Sequence, residues 1–313
     1  MNHHVVIGAG PVGSGIALLL AEQGTPVTVV TRSGSGPNHA LVTKMKADAT
    51  DAEALAAAAT GAAAIYNCAN PPYQLWDTAW PPLHVAMMIA AERTGAVLVM
   101  MDNLYCFGPG TTMPISEGDA TNAKGPKGAV RARMEKDLLD AHAAGRLRAT
   151  FARASDFYGP GVIDAGLGER VWRKILAGKK AQLLGSLDQP HSISYMPDVV
   201  RTMVTIATDE RAWGKAWHVP NAAPGTQRQA IQAFAKAAGT TTGVRAAPKF
   251  VLTLMGPFNP MMKALQETWY QFSDPWITDS TLTEQTFGLA ATPLAAGAAA
   301  TAAWWKTQPE RSK

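Results

Sequence analysis

Apolar residues in the first half of the chain fall into short β-branched runs, separated by segments with helical periodicity. A strand that is buried on both faces is apolar throughout, so these runs predict a parallel sheet and the periodic segments predict its crossover helices. The alternation predicts an α/β fold with right-handed crossovers. The predicted strands are His4–Ile7, Pro26–Thr31, Leu41–Ala47, Ala62–Asn67, Val97–Met101 and Ala149–Ala154.

The predicted helices follow the same rhythm, which becomes less regular after Asp156. Asp51 is the expected N-cap of the first helix after the third strand. We also predict a hairpin through Leu183–Tyr195 and a strand at Ala216–Val219 that returns to the main sheet. The predicted helices are Ala52–Ala59, Leu83–Thr94, Ala129–Ala144, Glu169–Leu176, Asp198–Thr208, Gln227–Ala238 and Met261–Phe272.

The first strand ends in a glycine-rich turn, and a helical pattern follows at once. Gly8, Gly10 and Gly13 form the pattern G-x-G-x-x-G between a strand and a helix. Gly8 permits the tight turn, Gly10 lets a diphosphate approach the backbone, and Gly13 lets the helix pack against the strand. Free N–H groups at the helix start favour an anion, and Pro11 and Val12 stand at that start. The turn therefore predicts a doubly wound parallel sheet of the Rossmann type that binds a dinucleotide.

The end of the second strand predicts which dinucleotide is bound. An NAD-binding protein usually places Asp or Glu there, about 20 residues past the glycines, to bind the ribose 2′-hydroxyl. This chain has Thr31, Arg32 and Ser33 instead. Arg32 attracts a 2′-phosphate through charge-assisted hydrogen bonds, with Thr31 and Ser33 as hydroxyl donors. We therefore expect NADP(H) rather than NAD(H), unless Arg32 is only an exposed loop residue.

Composition narrows the class of protein. The 313 residues are 47% hydrophobic and carry a net charge of +4 without a block of lysine or arginine, which gives no case for nucleic acid. No apolar run approaches the roughly 20 residues that span a bilayer, so we expect no membrane partner. Cys68 and Cys106 favour reduced thiols in a cytoplasmic protein. The scattered histidines form no metal-binding pattern, so we expect no metal site. The expected partner is a small-molecule substrate.

Further motifs follow the glycine turn in a specific order, and with them the chain resembles the NAD(P)-dependent epimerase/dehydratase-like branch of the extended short-chain dehydrogenases/reductases. The resemblance covers almost the whole length. Relatives often pair through helices like Leu83–Thr94 and Ala129–Ala144, so a homodimer is possible. The segments that carry the resemblance are Ala47–Asp51, Asn103–Pro109, Ile115–Glu117, Arg153–Gly161, Ser194–Val200, Asp279–Ser280 and Thr286–Leu289.

The resemblance implies an N-terminal NADP-binding Rossmann domain and a smaller C-terminal substrate-binding domain that closes over the nicotinamide end. The first domain takes residues 1–160, with 192–220 returning to it. The second takes 161–191 and 221–313. The resemblance also implies that Asp48 lies near the adenine, and that the adenosine and ribose are bordered by Cys68, Ala69 and Asn70.

The usual catalytic residues of the family are missing. The family uses Ser or Thr after the fifth strand and a Tyr-x-x-x-Lys pair on the next helix, whose lysine holds the nicotinamide ribose and lowers the pKa of the tyrosine. Asn103 stands at the serine position, Lys127 at the tyrosine position and Arg131 at the lysine position. No Tyr-x-x-x-Lys pair occurs anywhere in the sequence. The resemblance therefore implies an atypical member.

Three interpretations of these substitutions remain open. Tyr105 supplies the proton while Asn103 orients the substrate and Lys127 or Arg131 polarises it; Tyr105 lies two residues past Asn103, so an extended backbone turns both the same way. Alternatively, Lys127 is itself the acid, or the site binds NADP without turnover. The structural alternative is that Tyr105 packs in the core and Lys127 is a solvated residue at a helix start.

The leading hypothesis is an NADP(H)-dependent oxidoreductase that acts on a small carbonyl or hydroxyl compound, with Tyr105 or Lys127 moving the proton and Asn103 holding the oxygen. The alternatives are a nucleotide-sugar epimerase or dehydratase, and a non-catalytic NADP-binding redox sensor. Two further candidates are Asp156, which follows the sixth strand at the ligand edge of the sheet, and His191, which either touches substrate or lies on the surface.

Overall fold

The computed structural model describes residues 3–309. Within them the chain forms thirteen strands, of which seven build the central sheet and six pair in three small two-stranded sheets. The strands are β1 His3–Ile7, β2 Val27–Thr31, β3 Val42–Lys46, β4 Ala62–Asn67, β5 Val97–Asn103, β6 Ala149–Ala154, β7 Asp156–Tyr158, β8 Ala181–Leu184, β9 Pro190–His191, β10 Ile193–Tyr195, β11 Ala216–His218, β12 Gly225–Thr226 and β13 Val244–Ala247.

Twelve α-helices and two short 3-10 helices connect the strands of the described chain. The 3-10 helices are Tyr73–Leu75 and Glu210–Ala212. The α-helices are α1 Pro11–Glu22, α2 Ala52–Ala58, α3 Trp76–Thr94, α4 Pro126–Ala143, α5 Glu169–Leu176, α6 Met196–Thr208, α7 Gln227–Ala238, α8 Lys249–Met255, α9 Pro260–Glu267, α10 Tyr270–Ser273, α11 Thr281–Phe287 and α12 Leu294–Thr307.

The central sheet is parallel throughout, with the strand order β11-β6-β5-β4-β1-β2-β3. The predicted α/β fold with a doubly wound Rossmann sheet is confirmed, and so is the return of a strand at Ala216–His218 to the edge of this sheet. The strand order reverses beside β1, which lies between β4 and β2. Ligands of such sheets bind beyond the carboxyl ends of the strands at this reversal.

Two helical layers cover the sheet. On one face, α2, α3 and α4 bury side chains such as Leu55, Met87 and Leu138, while α1 and α6 cover the other face with Ile16 and Met203. A further apolar cluster joins α5, α7 and α12 through Trp172, Phe234 and Trp305. These clusters hold the strand ends and the C-terminal helices on opposite sides of a deep cleft.

Helix α3 begins at Trp76, seven residues before the predicted start, and it runs through Pro81 and Pro82. The prediction began after the prolines because proline lacks the N–H group that a helix interior needs. Trp76 and Trp80 lie one helical turn apart and are both buried. We attribute the earlier start to the burial of these two indoles, which offsets the missing hydrogen bonds.

The predicted hairpin at Leu183–Tyr195 is wrong. β8 pairs with β13, β9 pairs with β12 and β10 pairs with β7, so no two strands of this segment pair with each other. The turn after β8 is instead bound to another part of the chain, where the Ser186 N–H donates to the carbonyl oxygen of Phe272 at 2.7 Å. The predicted helix Met261–Phe272 is divided into α9 and α10. The division into two domains stays a prediction, and its ends at 1 and 313 lie outside the described residues.

A buried ion pair fixes α4 against the sheet. The Arg153 guanidinium on β6 donates to both carboxylate oxygens of Glu135 on α4, with Nε to Oε2 at 3.2 Å, and a further N–H reaches the carbonyl of Glu117 at 3.3 Å. Both side chains are almost fully buried. The pair therefore sets the position of α4, which carries Lys127 and Arg131.

Replacing Glu135 by Gln leaves the Arg153 guanidinium buried without its counter-charge. We expect the free energy of unfolding to fall by about 3–5 kcal/mol, the usual cost of breaking a buried pair. Urea unfolding followed by circular dichroism measures the loss. The matched control is Asp140→Asn, which breaks the exposed Lys136–Asp140 pair on the same helix and should leave stability unchanged. Equal stability of the two variants would contradict this role of the buried pair.

Candidate functional site

A cleft of about 1820 Å³ runs along the carboxyl ends of the central strands. One end is formed by the glycine turn after β1 and by the loops after β2 and β3. The other end reaches α9 and α10, and its wall is mostly aromatic and aliphatic. All but two of the sequence-predicted site residues line this cleft; the exceptions are Gly13, which packs beneath the turn, and Lys127.

The backbone of the glycine turn is open to the cleft. Gly8 has φ +100°, and a Cβ there would come within 2.8 Å of the Ala69 nitrogen. A Cβ on Gly13 would lie 2.0 Å from the Gly8 carbonyl oxygen, whereas one on Gly10 would meet nothing within 4 Å. Pro11 follows as the first residue of α1. The empty space at Gly10, in front of a helix start, fits a diphosphate that approaches the backbone closely.

The loop after β2 places its polar side chains at one end of the cleft. Thr31, Arg32, Ser33 and Asp48 all line it. Arg32 is exposed and forms no ion pair within the described chain. Hydrogen bonds from Thr50 hold the pKa of Asp48 below its usual range, and the charge of Arg32 acts in the same direction. Arg32 is therefore an accessible cation beside the segment that the family resemblance places near the adenine.

Cys68, Ala69 and Asn70 follow β4 and form a neighbouring part of the cleft wall. The Asn67 side chain holds this loop, because its Oδ1 accepts the Ala69 N–H at 3.2 Å. Burial raises the pKa of the Cys68 thiol, so Cys68 stays a neutral thiol at physiological pH. The segment provides an uncharged wall next to the glycine turn.

Asn103, the last residue of β5, and Tyr105 both line the cleft, but Tyr105 lies in a turn and not on the extended backbone that the sequence analysis expects. The Asn103 Oδ1 accepts the Tyr105 N–H at 2.9 Å and so closes a tight turn between them. This leaves the amide nitrogen of Asn103 as the group that can donate to a ligand.

The Tyr105 hydroxyl belongs to a chain of hydroxyl groups. The Tyr73 hydroxyl lies 3.4 Å from that of Tyr105 and 2.9 Å from Oγ1 of Thr268. Burial, with the nearby Tyr73 and Asp156, raises the pKa of Tyr105 well above its ordinary value. Tyr105 therefore remains a protonated phenol at neutral pH; its hydroxyl oxygen accepts the hydrogen bond from Tyr73, which leaves its own proton available to a ligand.

Lys127 is drawn away from the cleft. Its Nζ donates to Oε2 of Glu267 at 3.0 Å, and its backbone N–H donates to Oε1 of the same carboxylate at 2.7 Å. The ammonium also lies 5.0 Å from the centre of the Tyr73 ring. Lys127 is buried, so it is not the solvated residue of the structural alternative. Its contacts attach the start of α4 to α9.

Arg131 occupies the position of the family lysine, but its surroundings differ from those of a solvated cation. The guanidinium carbon lies 4.5 Å from the ring centre of Trp76 and 4.1 Å from that of Trp80, and Nη1 lies 3.2 Å from Oδ1 of Asp102. Burial raises the pKa of Asp102 to about 6, and Arg131 opposes this shift. Arg131 is thus held in an aromatic slot, and burial is the largest influence on the raised pKa of the nearby Tyr105.

A histidine–aspartate pair lies in the same cleft. Nε2 of His191 lies 2.7 Å from Oδ2 of Asp156, and the imidazole stacks on Phe272 with 13° between the ring planes. His191 is buried, so it is not the surface residue of the alternative interpretation. No spacing rule links two residues that are 35 positions apart, and the sequence therefore gave no signal for their pairing.

Residues 4–219 match the sequence profile of the NAD dependent epimerase/dehydratase family. The chain belongs to this family. The match spans more than half of the chain and confirms the resemblance inferred from its motifs. Members are oxidoreductase-type enzymes that use a nicotinamide dinucleotide, so the expectation of an enzyme is confirmed at that level.

Solved structures of the family share the fold at low sequence identity. The UDP-N-acetylglucosamine 4-epimerase of Methanobrevibacter ruminantium M1 has a TM-score of 0.81 and 16% identity, covering 98% of this chain and 99% of its own. The dTDP-glucose 4,6-dehydratase of Bacillus anthracis, in complex with NAD, has a TM-score of 0.79 and 15% identity, covering 98% and 97%. The UDP-glucose 4-epimerase of Thermotoga maritima has 0.78 and 17%, covering 98% and 99%. None of the curated proteins matches the chain.

Two kinds of feature are absent from residues 3–309. No group of three or more His, Cys, Asp or Glu side chains there is placed to hold a metal ion. No helix in that part of the chain is both long enough and apolar enough to cross a membrane.

The two glycines of the turn should respond differently to a methyl group. Gly10→Ala should fold normally, because φ at Gly10 is −70° and its Cβ has room, but it should weaken NADPH binding by roughly tenfold or more through blocked diphosphate approach. Gly13→Ala should lower the melting temperature, since its Cβ overlaps the Gly8 carbonyl. Calorimetric titration and thermal unfolding test both. Parent-like NADPH affinity in Gly10→Ala would refute the diphosphate site.

Proposed function

We propose that this protein is an NADP(H)-dependent oxidoreductase that reduces a small carbonyl compound. The proposal depends chiefly on the Tyr105 hydroxyl, a phenol with a raised pKa that lines the cleft and is connected to further hydroxyl groups. This phenol is protonated at neutral pH and so has a proton to donate to an oxygen that becomes negative, as in carbonyl reduction, although its raised pKa makes it a weaker acid than a free tyrosine.

A nicotinamide dinucleotide fits the described residues. The turn of Gly8, Gly10 and Gly13, with Pro11 and Val12, would hold the diphosphate, because the backbone there is open and a Cβ on Gly10 meets nothing. Bound in this cleft, the cofactor supplies or accepts hydride at its nicotinamide ring.

The adenosine end favours a 2′-phosphate. Arg32 is accessible and lines the cleft, with the hydroxyl groups of Thr31 and Ser33 beside it. No acidic residue ends β2 to accept hydrogen bonds from a ribose 2′-hydroxyl. The solved structures from Bacillus anthracis and Bordetella bronchiseptica were determined with NAD. A preference for NADP(H) would therefore distinguish this chain from them.

Proton supply would proceed through hydroxyl groups. Tyr105 donates its proton to the substrate oxygen, and Tyr73 then restores it through its 3.4 Å contact. Thr268 holds the Tyr73 hydroxyl at 2.9 Å, and Tyr73, which lines the cleft, regains its proton from solvent there. The Asn103 amide nitrogen donates to the same substrate oxygen, because its Oδ1 is already used by Tyr105 N–H.

The cations of α4 would position the site. Glu267 compensates the charge of Lys127, and this ion pair fixes α9 over Tyr73. The pairing supports Tyr105 rather than Lys127 as the acid. Arg131 lines the cleft from its slot between two indoles, where it can contact the ribose of the nicotinamide half. Its pairing with Asp102 fixes that orientation.

The second candidate is a nucleotide-sugar epimerase or dehydratase, which the names of the solved relatives favour. The sequence has no Tyr-x-x-x-Lys pair. This argues against an epimerase or dehydratase, because the family normally uses that pair in catalysis. Incubating the protein with UDP-glucose and NAD distinguishes the two functions. Formation of an epimerised or dehydrated sugar would overturn the reductase proposal in favour of the second candidate. Binding of NADPH without turnover of any carbonyl or alcohol would instead indicate a redox sensor.

Arg32→Ala should weaken NADPH binding by about 10- to 100-fold, the value of one or two charge-assisted hydrogen bonds, and leave NADH binding unchanged. Fluorescence titration with each cofactor measures the effect. Arg133→Ala is the matched control, because Arg133 is an exposed arginine on α4 outside the cleft lining. Equal loss for both cofactors, or none, would refute the assignment of Arg32 to a 2′-phosphate.

Tyr105→Phe should lower kcat for carbonyl reduction by roughly 10²- to 10⁴-fold, the usual contribution of a general acid, with NADPH affinity retained. In the parent, reduction should show no loss of rate from this group as pH rises to about 9, because the raised pKa keeps Tyr105 protonated. Tyr158→Phe, a buried tyrosine outside the cleft lining, serves as the control. Full activity of Tyr105→Phe, with loss of activity in Lys127→Gln, would make Lys127 the acid.

A further inference from the structure

An apolar surface on α8 and α9 stands out from the rest of the described chain. Within residues 3–309, eight large apolar side chains are exposed. Five of them lie within residues 250–261. Phe258 is 89% exposed, Leu254 70% and Phe250 67%. We call these five residues the apolar tip: Phe250, Leu254, Met255, Phe258 and Met261. Exposed apolar residues grouped in this way usually mark an interaction site.

The apolar tip has a fixed orientation. Leu252 and Ala264 are buried on the inner side of the two helices. The Gln266 side chain on α9 donates to the Leu252 carbonyl of α8 at 2.9 Å, and Asn259 caps the start of α9 by accepting two backbone N–H groups. The outward direction of Phe258 therefore follows from packing and capping of the helices that hold it.

The exposed charged side chains on α8 and α9, beside the apolar tip, are basic. Lys249 and Lys263 flank it and are exposed, and Arg245 and Lys180 extend the basic surface along β13 and β8. Between Arg211 and Gln266 the sequence contains no Asp or Glu. A face that joins protruding apolar side chains to cations is complementary to a bilayer with anionic headgroups.

A second copy of the chain fits this face less well. A two-fold symmetric interface would bring the same surface of both copies together, including Lys249 and Lys263. No acidic side chain of the segment from 211 to 266 would be available to compensate these charges. Anionic headgroups would supply the compensation that this segment of a second copy lacks.

The apolar tip also borders the mouth of the cleft. Met261 of the tip lines the cleft. The exposed Leu75, at the end of the 3-10 helix Tyr73–Leu75, also lines it. Contact with a bilayer through the tip would place the cleft mouth at the lipid surface. Docking would therefore bring the cleft close to the lipid, and no residue assigned to catalysis takes part in the docking.

We propose that the apolar tip docks onto an anionic lipid surface, with Phe250, Leu254 and Phe258 among the acyl chains and Lys249 and Lys263 on the phosphates. The sequence analysis expects no membrane partner because no apolar run is long enough to span a bilayer. Docking from one side needs no such run. The proposal is independent of the reaction that the cleft performs.

Sedimentation of the full chain with vesicles tests the docking. We expect binding to vesicles of phosphatidylcholine with phosphatidylglycerol, weaker binding to phosphatidylcholine alone, and release as salt rises. Phe250→Ser with Phe258→Ser should weaken binding by about tenfold or more, and Lys249→Gln with Lys263→Gln should remove the preference for the anionic vesicles. The controls are Leu282→Ser, another exposed leucine, and Lys306→Gln, an exposed lysine on α12, which should bind like the parent.

Melting temperature and NADPH affinity, measured on the same variants, confirm that they are folded. Failure of the parent to sediment with either vesicle, or equal binding by the Phe250 and Phe258 double variant, would overturn the proposal. A parent dimer that dissociates in the same double variant, without vesicle binding, would assign the tip to a second copy and also overturn it. Loss of vesicle binding leaves the reductase proposal untouched, because NADPH binding is measured separately.

Discussion

The site depends on the confinement of the Arg131 guanidinium. Two indoles and the buried Asp102 carboxylate hold this cation at the place where the family resemblance expects a lysine. A family lysine lowers the pKa of its tyrosine, whereas here burial governs and the nearby Tyr105 has a raised pKa. In the proposed function, Tyr105 therefore acts as a protonated phenol that donates its proton rather than as a tyrosinate base.

Other features of the site follow from the same slot. The early start of α3 brings Trp76 and Trp80 over α4, and Trp76 also lies 5.6 Å from the Tyr105 ring, centre to centre. The Lys127–Glu267 pair then fixes α9 over Tyr73, which completes the row of hydroxyl groups at Tyr105. Aromatic packing therefore sets both the position of the phenol and its environment.

The parallel sheet and the glycine turn could be predicted from sequence because they depend on local rules. Apolar runs mark buried strands, Gly8 and Gly13 mark a turn that only small residues permit, and Gly10 leaves room for a diphosphate. Tyr73 also carried a usable signal, since it follows β4 at the carboxyl edge of the sheet where ligands bind. Asn103 and Tyr105 were found by the same edge rule.

The partners of these residues could not be predicted in the same way. Glu267 lies 140 positions from Lys127, and the strands between 181 and 195 pair with segments that are distant in sequence. Such contacts are decided by tertiary packing, which a single sequence does not display. The early start of α3 was missed for a related reason, because the proline rule is local whereas the burial of the two indoles is not.

The protonation state of Tyr105 is the central claim and can be measured directly. Tyrosine labelled with ¹³C at Cζ reports ionisation by NMR, and Tyr105→Phe assigns the signal. Our account predicts that this resonance keeps its phenol shift from about pH 6 to pH 10, while an exposed tyrosine would begin to titrate near its ordinary pKa. Ionisation of Tyr105 with a midpoint at or below about pH 10 would contradict the account.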